Sequence, residues 1–208
     1  MKKLLILFLL SAFAFSSFSK EKRDLLQKEA EEIGVENVLV KDFSDIGFPT
    51  YQNRDFWEGI PEVMKNQYIT EAEEYLDYDW PVVKATDYIE IIRSGDRRQE
   101  VYAACRAALM AVVMGELIEG EGRFIDQIVN GVWYYSEQTW WGWSAHLPSP
   151  KGLPDIKRPS IDLGVGEIAN ILSWTWFLFK EEFDKIHPLI STRLHDEIMY
   201  KAVMPYYE

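Results

Sequence analysis

The sequence predicts an all-α protein, built as an incomplete α/α toroid of antiparallel helix pairs. Three observations support this fold class. Apolar residues recur at helical spacing in segments of about 15 to 20 residues, and no strand-like alternation is sustained anywhere. Two segments, VYAACRAALMAVVMG and LGVGEIANILSWTWFLF, are apolar on almost every side and carry one charge each. Helices of this kind are buried, so they indicate an inner layer that outer amphipathic helices cover.

Helices are expected in seven places along the chain. In order, they cover residues 20–33, 55–75 (as one helix or two), 85–93 (as a short helix or a turn), 97–117, 123–137, 160 or 162 to about 180, and 189–203. Gly34 is a typical C-terminal stop for the first of these helices. Pro61 suits the first turn of a helix, and Ser160 or Asp162 is a candidate N-cap.

Two of the connections are long. Residues 35–48 are expected to be irregular, with a short extended piece at 38–40. Residues 140–159 form a loop that contains four prolines, and a connection of this length in a compact domain is usually functional or mobile.

The first 19 residues have the pattern of a secretory signal peptide. A short basic start precedes an apolar run at residues 4–15, which is too short for a comfortable membrane span. Ser17 and Ser19 are small residues that suit cleavage just after them. We therefore expect residues 20–208 to be periplasmic or secreted, with no membrane association once the signal is removed. A retained membrane anchor is the alternative interpretation.

Composition excludes several classes of function. The chain has 208 residues and a formal net charge of −12, with no basic stripe that could neutralise the phosphates of a nucleic acid. The three histidines are scattered, so we predict no metal site. The sequence contains no phosphate-binding glycine loop, so we predict no cofactor. Cys105 is the single cysteine, which rules out an internal disulfide, and its apolar neighbours predict a packed thiol.

Residues 131–146, GVWYYSEQTWWGWSAH, contain four of the eight tryptophans. Aromatic side chains with polar tips at this density mark either a core junction or a cleft for a ligand with flat faces, such as a sugar. We interpret the stretch as one wall of a saccharide cleft. The candidate substrate-binding residues are Asn130, Tyr134, Glu137, Trp140, Trp141, Trp143 and His146.

The spacing of polar residues defines one face of the helix before this loop. Gln127, Asn130, Tyr134 and Glu137 recur at i, i+3, i+7 and i+10, so they share a stripe that faces water or a cleft. Glu137 and His146 have three possible roles, which are acid–base chemistry, hydrogen bonding to substrate, and a structural tether for the loop.

The closely spaced tryptophans of the loop cannot all be buried in the same way. We expect at least one of Trp140, Trp141 and Trp143 to be exposed in the cleft. Arg106 and Glu167, the single charges of the two apolar segments, each require a partner. A structural ion pair or hydrogen bonds to helix ends are the favoured interpretation, and contact with substrate is the other.

Three segments of the chain resemble the N-terminal helical domain of heparinase II/III-like polysaccharide lyases. They are SEQTWWGWSAH, IDLGVGEIANILSWTWFL and LISTRLHDEI, at residues 136–146, 161–178 and 189–198. The matching positions are Glu137, Thr139, Trp140, Ala145, His146, Asp162, Leu163, Glu167 and Ala169.

The resemblance implies an incomplete toroid followed by β-sheet domains, and β-elimination of acidic polysaccharides that contain uronic acid. The family's catalytic Asn, Tyr and His match no residue here and are expected downstream. This chain would then be an inactive N-terminal segment, in which Glu137, Trp140 and His146 belong to the wall of the cleft.

Two alternatives remain open at this point. One is a carbohydrate-binding or scaffold module that does not cleave glycan. The other is an α/α-toroid glycoside hydrolase, which needs two carboxylates that face each other, and Glu137 and Glu167 are the pair to nominate.

Overall fold

The computed structural model of the chain describes residues 24–40, 47–94, 99–147 and 152–207. These residues form helices and contain no strand, which confirms the all-α prediction. The chain divides into two compact units, residues 1–48 and 49–208. The predicted signal peptide lies outside the described residues. Within the described part of the chain, every helix is too short or too polar to cross a membrane.

The first unit contains α1 (Leu25–Ile33) and α2 (Val35–Val38). Gly34 separates them with a left-handed φ of 66°, and its N–H donates to the carbonyl of Ala30, so the predicted helix stop is confirmed. The prediction of an extended piece at 38–40 is wrong at Val38, which is the last residue of α2. Extended backbone begins at Leu39, whose N–H donates to the carbonyl of Val35 and so ends the short helix.

The second unit carries the remaining helices and the core. They are α3 (Arg54–Glu58), α4 (Glu62–Glu73), α5 (Ala85–Ser94), α6 (Gln99–Glu119), α7 (Ile125–Glu137), α8 (Leu163–Ile186), α9 (Pro188–Ile198) and α10 (Met204–Tyr207). A 3₁₀ turn at Ser144–His146 lies in the predicted long loop, and a π-helical turn at Met199–Val203 joins α9 to α10. The region expected as one or two helices forms two, and Pro61 stands immediately before the longer one.

Helix α6 lies at the centre of this unit and packs most extensively on α4. The two helices approach closely where Gly115 faces Ala72. A Cβ atom on Gly115 would lie 2.3 Å from the Cβ of Ala72, so only glycine allows this contact. The large side chains that are fully buried around α6 include Leu109, Val112, Leu117, Phe124, Ile128, Val132, Leu172, Phe179, Phe183 and Leu194.

A buried carboxylate fixes the turn from α6 to α7. Glu116 is fully buried and accepts hydrogen bonds from the Tyr51 hydroxyl at 2.7 Å and from the backbone N–H groups of Gly122 and Phe124 at 2.8 and 3.0 Å. The Arg54 guanidinium donates to two carbonyls at the end of α6. The buried charge is therefore surrounded by donors, and the direction in which α7 leaves the turn is set.

Helices α8 and α9 are joined by the single residue His187 and pack against each other. Asp162 caps α8, because its Oδ1 accepts from the N–H of Val165 at 2.8 Å, which confirms one of the two predicted caps. Helix α8 continues to Ile186, six residues beyond the predicted end. The ion pair between Lys180 and Asp184 at 2.6 Å is one contact that supports the added turn.

Arg106 and Glu167 form an ion pair between α6 and α8. Both side chains are partly exposed, so solvent screens the pair and its contribution to stability is small. The favoured interpretation of these two charges, a structural ion pair, is confirmed.

Candidate functional site

A groove of about 470 Å³ lies between α7, the loop at residues 77–83 and Tyr88 of α5. This volume is within the range of sites for small ligands. The lining residues are Tyr78, Asp79, Trp80, Pro81, Val82, Val83, Tyr88, Asn130, Trp133, Tyr134, Glu137, Gln138 and Thr139. Five of them are aromatic and five carry polar or charged side chains other than phenols, so the groove combines flat apolar faces with hydrogen-bonding groups.

Trp80 is held against α7 by two features of that helix. Its indole N–H donates to the side chain of Gln127 at 2.8 Å, and the amide of Gln127 donates in turn to the carbonyl of Leu76 at 2.7 Å. Gly131 leaves room for the ring, since a Cβ at this position would lie 2.8 Å from two of the ring atoms of Trp80. The loop at residues 77–83 is thus held against α7 through Trp80.

Cys105 lies behind the aromatic wall and is fully buried. Its thiol donates to the hydroxyl of Tyr134 at 3.3 Å, and its sulfur is 3.6 Å from the hydroxyl of Tyr78. Burial, together with the hydrogen bond to Cys105, raises the pKa of Tyr78 well above its usual range. The burial of Cys105 and its contacts with both hydroxyl groups confirm the prediction of a packed thiol.

The charge of the groove is negative. Asp79 and Glu137 line it, and the lining residues include no Lys, Arg or His. Arg193 contacts this lining from α9, where its guanidinium lies 3.5 Å from Glu137 and 4.3 Å from the centre of the Trp133 ring, so it offsets part of the Glu137 charge. Asp79 is exposed at the opposite wall.

Gln138 contributes a polar group that lacks a hydrogen-bond partner among the described residues. Its side chain is only 5% exposed, it lines the groove, and its Nε2 makes no hydrogen bond. A buried donor without an acceptor costs about 1 to 3 kcal/mol, so such donors are uncommon in folded proteins. The Nε2 atom itself is shielded from the open groove.

Three of the seven predicted site residues lie together in the groove. Asn130, Tyr134 and Glu137 line it, as their shared stripe on α7 allows. The other four, Trp140, Trp141, Trp143 and His146, do not line it, so the structure separates the helical stripe from the tryptophan-rich loop.

Trp140 and Trp141 belong to the core. They are 2% and 4% exposed, and their indole N–H groups donate to the carbonyls of Ser160 and Tyr135, each at 2.8 Å. Both residues are therefore structurally satisfied. Lys201 lies over the Trp141 ring at 5.0 Å, and its ammonium donates to the carbonyls of Ser136 and Gln138, which holds the end of α7.

Trp143 and His146 fasten the loop to the start of α8. The backbone N–H of Trp143 donates to Oδ2 of Asp162 at 3.0 Å, and Nδ1 of His146 lies 2.8 Å from the same oxygen. The rings of Trp143 and His146 also contact each other, with centroids 5.4 Å apart. His146 thus has the tethering geometry that was one of its three possible roles.

Sequence reasoning did not identify Asp79 or Trp80 as site residues. Trp133, Gln138 and Thr139 lie within the stretch that was predicted as a cleft wall, but they were not singled out as binding residues. The loop DYDWP indicates an aromatic anchor, but nothing local places it beside α7. Gly131 was the available signal, because a glycine inside a helical pattern often permits a close approach.

The described residues contain no group of three or more His, Cys, Asp or Glu side chains that could hold a metal ion. Comparison with known proteins adds no relative, since no family model matches the chain and neither does any curated protein.

Proposed function

We propose that the second unit binds a saccharide in the groove between α7 and the loop at residues 77–83. The observation that carries this proposal is the combination of Trp80, Trp133 and Tyr134 with the polar side chains of Asn130 and Thr139 in one groove. Sugar rings present apolar faces to aromatic side chains and hydroxyl groups to polar ones, so this combination suits them.

In the wider proposal, the chain is the N-terminal helical part of a secreted polysaccharide lyase of the heparinase II/III-like type. Its support is the sequence resemblance at residues 136–146, 161–178 and 189–198, together with an all-α unit in which α8 and α9 pack against each other. A toroidal arrangement of the helices belongs to the same proposal. No residue of this chain matches the catalytic Asn, Tyr and His of that family, so we expect this segment to bind glycan without cleaving it.

Hydrolysis is a second candidate, because two carboxylates line the same groove. The pair is Asp79 and Glu137, and it replaces the pair nominated from the sequence, since Glu167 is bound to Arg106 and does not line the groove.

Calorimetric titration of the full chain with neutral, amino and uronate-containing oligosaccharides tests the binding proposal. We expect the Trp133→Ala variant to lose about threefold to tenfold in affinity, because one aromatic contact with a sugar contributes about 0.5 to 1.5 kcal/mol. Trp174→Ala is the matched control, as Trp174 is a partly buried tryptophan of α8 outside the groove. Equal losses in both variants, or no binding of any oligosaccharide, would contradict the proposal.

The same incubations separate binding from catalysis. Unsaturated uronate products, detected by ultraviolet absorbance, would show that the chain alone is a lyase. New reducing ends without unsaturation would show a hydrolase. We expect neither product from this chain.

A further inference from the structure

Lys201 is a buried lysine at the middle of the π-helical turn between α9 and α10, and it is 5% exposed. Its Nζ donates to the carbonyls of Ser136 and Gln138 and lies 2.8 Å from Oε2 of Glu197. An ammonium has three N–H donors, so these three acceptors use all of them. Single π-helical turns occur frequently at functional sites, because they re-aim a side chain within a helical segment.

The partners of Lys201 connect this turn to the groove. Ser136 and Gln138 flank Glu137 at the end of α7, where the last carbonyls of a helix lack partners within the helix. A cation at this position bonds to those carbonyls and also complements the negative end of the helix dipole. The three consecutive residues Glu137, Gln138 and Thr139 line the groove. Lys201 therefore fixes the backbone from which one end of the groove lining projects.

This arrangement depends on the charge of Lys201. A neutral amine has two donors and one lone pair, so it cannot donate to three acceptors. One carbonyl of α7, or the carboxylate of Glu197, would then face the lone pair. Loss of the proton would thus release one of the contacts that hold the end of α7 to the turn.

The surroundings of Lys201 oppose its charge more than they support it. Burial lowers the pKa of Lys201, and the nearby charge of Arg193 lowers it further, whereas the hydrogen bond with Glu197 raises it. The loop after α7 presents the ring of Trp141 at 5.0 Å. Helices α8 and α10 also pack near the turn, and their described side chains form no ion pair with Lys201. The proton is therefore lost at a lower pH than from an exposed lysine.

We propose that Lys201 is a charge-dependent clamp on the groove, whose ammonium positions the end of α7 for saccharide binding and whose deprotonation lowers the affinity of the groove. The proposal rests on the proposed function, since it concerns regulation of the same site. Lys201 does not line the groove, so it is a positioning residue and makes no contact with the ligand.

The first experiment uses nuclear magnetic resonance and needs no saccharide. The ¹³C signals of the Lys201 Cε and of the Thr139 methyl group are followed in the full chain from about pH 7 to pH 10, just below the ordinary lysine pKa. We expect the Thr139 signal to move with the same midpoint as Lys201. A Lys201 signal that does not titrate in this range, or a Thr139 signal that ignores the titration, would overturn the proposal. This measurement on the unmodified chain decides even if substitution of Lys201 prevents folding.

The second experiment is a calorimetric titration, at the two ends of the same pH range, with an oligosaccharide that the chain binds. We expect the affinity to fall at least about fivefold at the higher pH, which is the lower end of the usual coupling between linked sites. Lys201→Met should bind weakly at both pH values, because it lacks the clamp. Lys185→Met is the matched control, since Lys185 is an exposed lysine of α8 that pairs with Glu182, and it should keep the original pH dependence. All other titratable groups are common to the unmodified chain and Lys201→Met, so a difference between their profiles belongs to Lys201.

The failures of the two proposals are distinguishable. Equal affinity at both pH values, or the same pH dependence in Lys201→Met, would overturn the clamp and leave the saccharide groove in place. Absence of binding to any oligosaccharide would overturn the proposed function and the effect on affinity with it. The Thr139 signal would still decide whether Lys201 positions this end of the groove.

Discussion

Gly131 permits the contact that forms the groove, and Gly131→Ala is the sharpest perturbation of it. The added Cβ would lie 2.8 Å from the Cη2 and Cζ2 atoms of Trp80 and 2.9 Å from Cδ1 of Leu109. Carbon atoms in ordinary contact are about 3.5 to 4.0 Å apart, so both side chains must move. Overpacking of this kind costs about 1 to 3 kcal/mol, whereas alanine gains about 1 kcal/mol over glycine in a helix interior.

We therefore expect Gly131→Ala to lower the free energy of unfolding by about 0 to 2 kcal/mol. Gly166→Ala is the matched control, because Gly166 lies inside α8 and a Cβ there would meet no atom within 4 Å. That variant should gain up to about 1 kcal/mol. The net difference between the two variants is about 1 to 3 kcal/mol.

Urea unfolding followed by far-ultraviolet circular dichroism measures this difference, provided that the m-value is unchanged. Displacement of Trp80 should also break its hydrogen bond to Gln127 and change the wall of the groove. A lower saccharide affinity of Gly131→Ala would be a second, independent sign of this displacement. If both glycine variants gained the same stability and bound saccharide equally, Trp80 would not be packed against α7 as described.

Three further predictions concern the packing around the groove. Tyr135→Phe should be neutral or stabilising by about 1 kcal/mol in urea unfolding, since its buried hydroxyl has no partner among the described residues, whereas Tyr51→Phe should lose about 1 to 3 kcal/mol with its bond to Glu116. Burial lowers the pKa of Lys201, so the unfolded state keeps this proton to a higher pH than the folded state does. The stability of the protein relative to Lys201→Met should therefore rise with pH just below the ordinary lysine pKa. Parallel stability profiles of the two proteins would contradict this. Asp162→Ala should cost about 1 to 2 kcal/mol in thermal unfolding, and an unchanged melting temperature would exclude its capping role.

The helices were predictable because their signals are local. Periodic apolar residues, Gly34 as a stop and Asp162 as a cap each act within a few residues of the helix that they define. The structure differs from the prediction where tertiary contacts determine the backbone conformation. The π-helical turn at Met199–Val203, for example, lies where Lys201 is buried against the end of α7.

The groove was only half predictable from the sequence. The stripe of Asn130, Tyr134 and Glu137 follows from helical spacing alone. The opposite wall comes from Trp80, some 50 positions earlier, and no local pattern sets that pairing. The density of tryptophan in the loop after α7 favoured that loop as a binding wall, but Trp140 and Trp141 lie in the core with their indole N–H groups satisfied.

The most direct test of the saccharide groove is a titration followed through the indole N–H signals of the tryptophans by nuclear magnetic resonance. Addition of an oligosaccharide that the chain binds should shift the signals of Trp80 and Trp133, while those of the buried Trp140 and Trp141 stay in place. Shifts confined to tryptophans outside the groove, or no shift at saturating oligosaccharide, would contradict the assignment of this groove as the binding site.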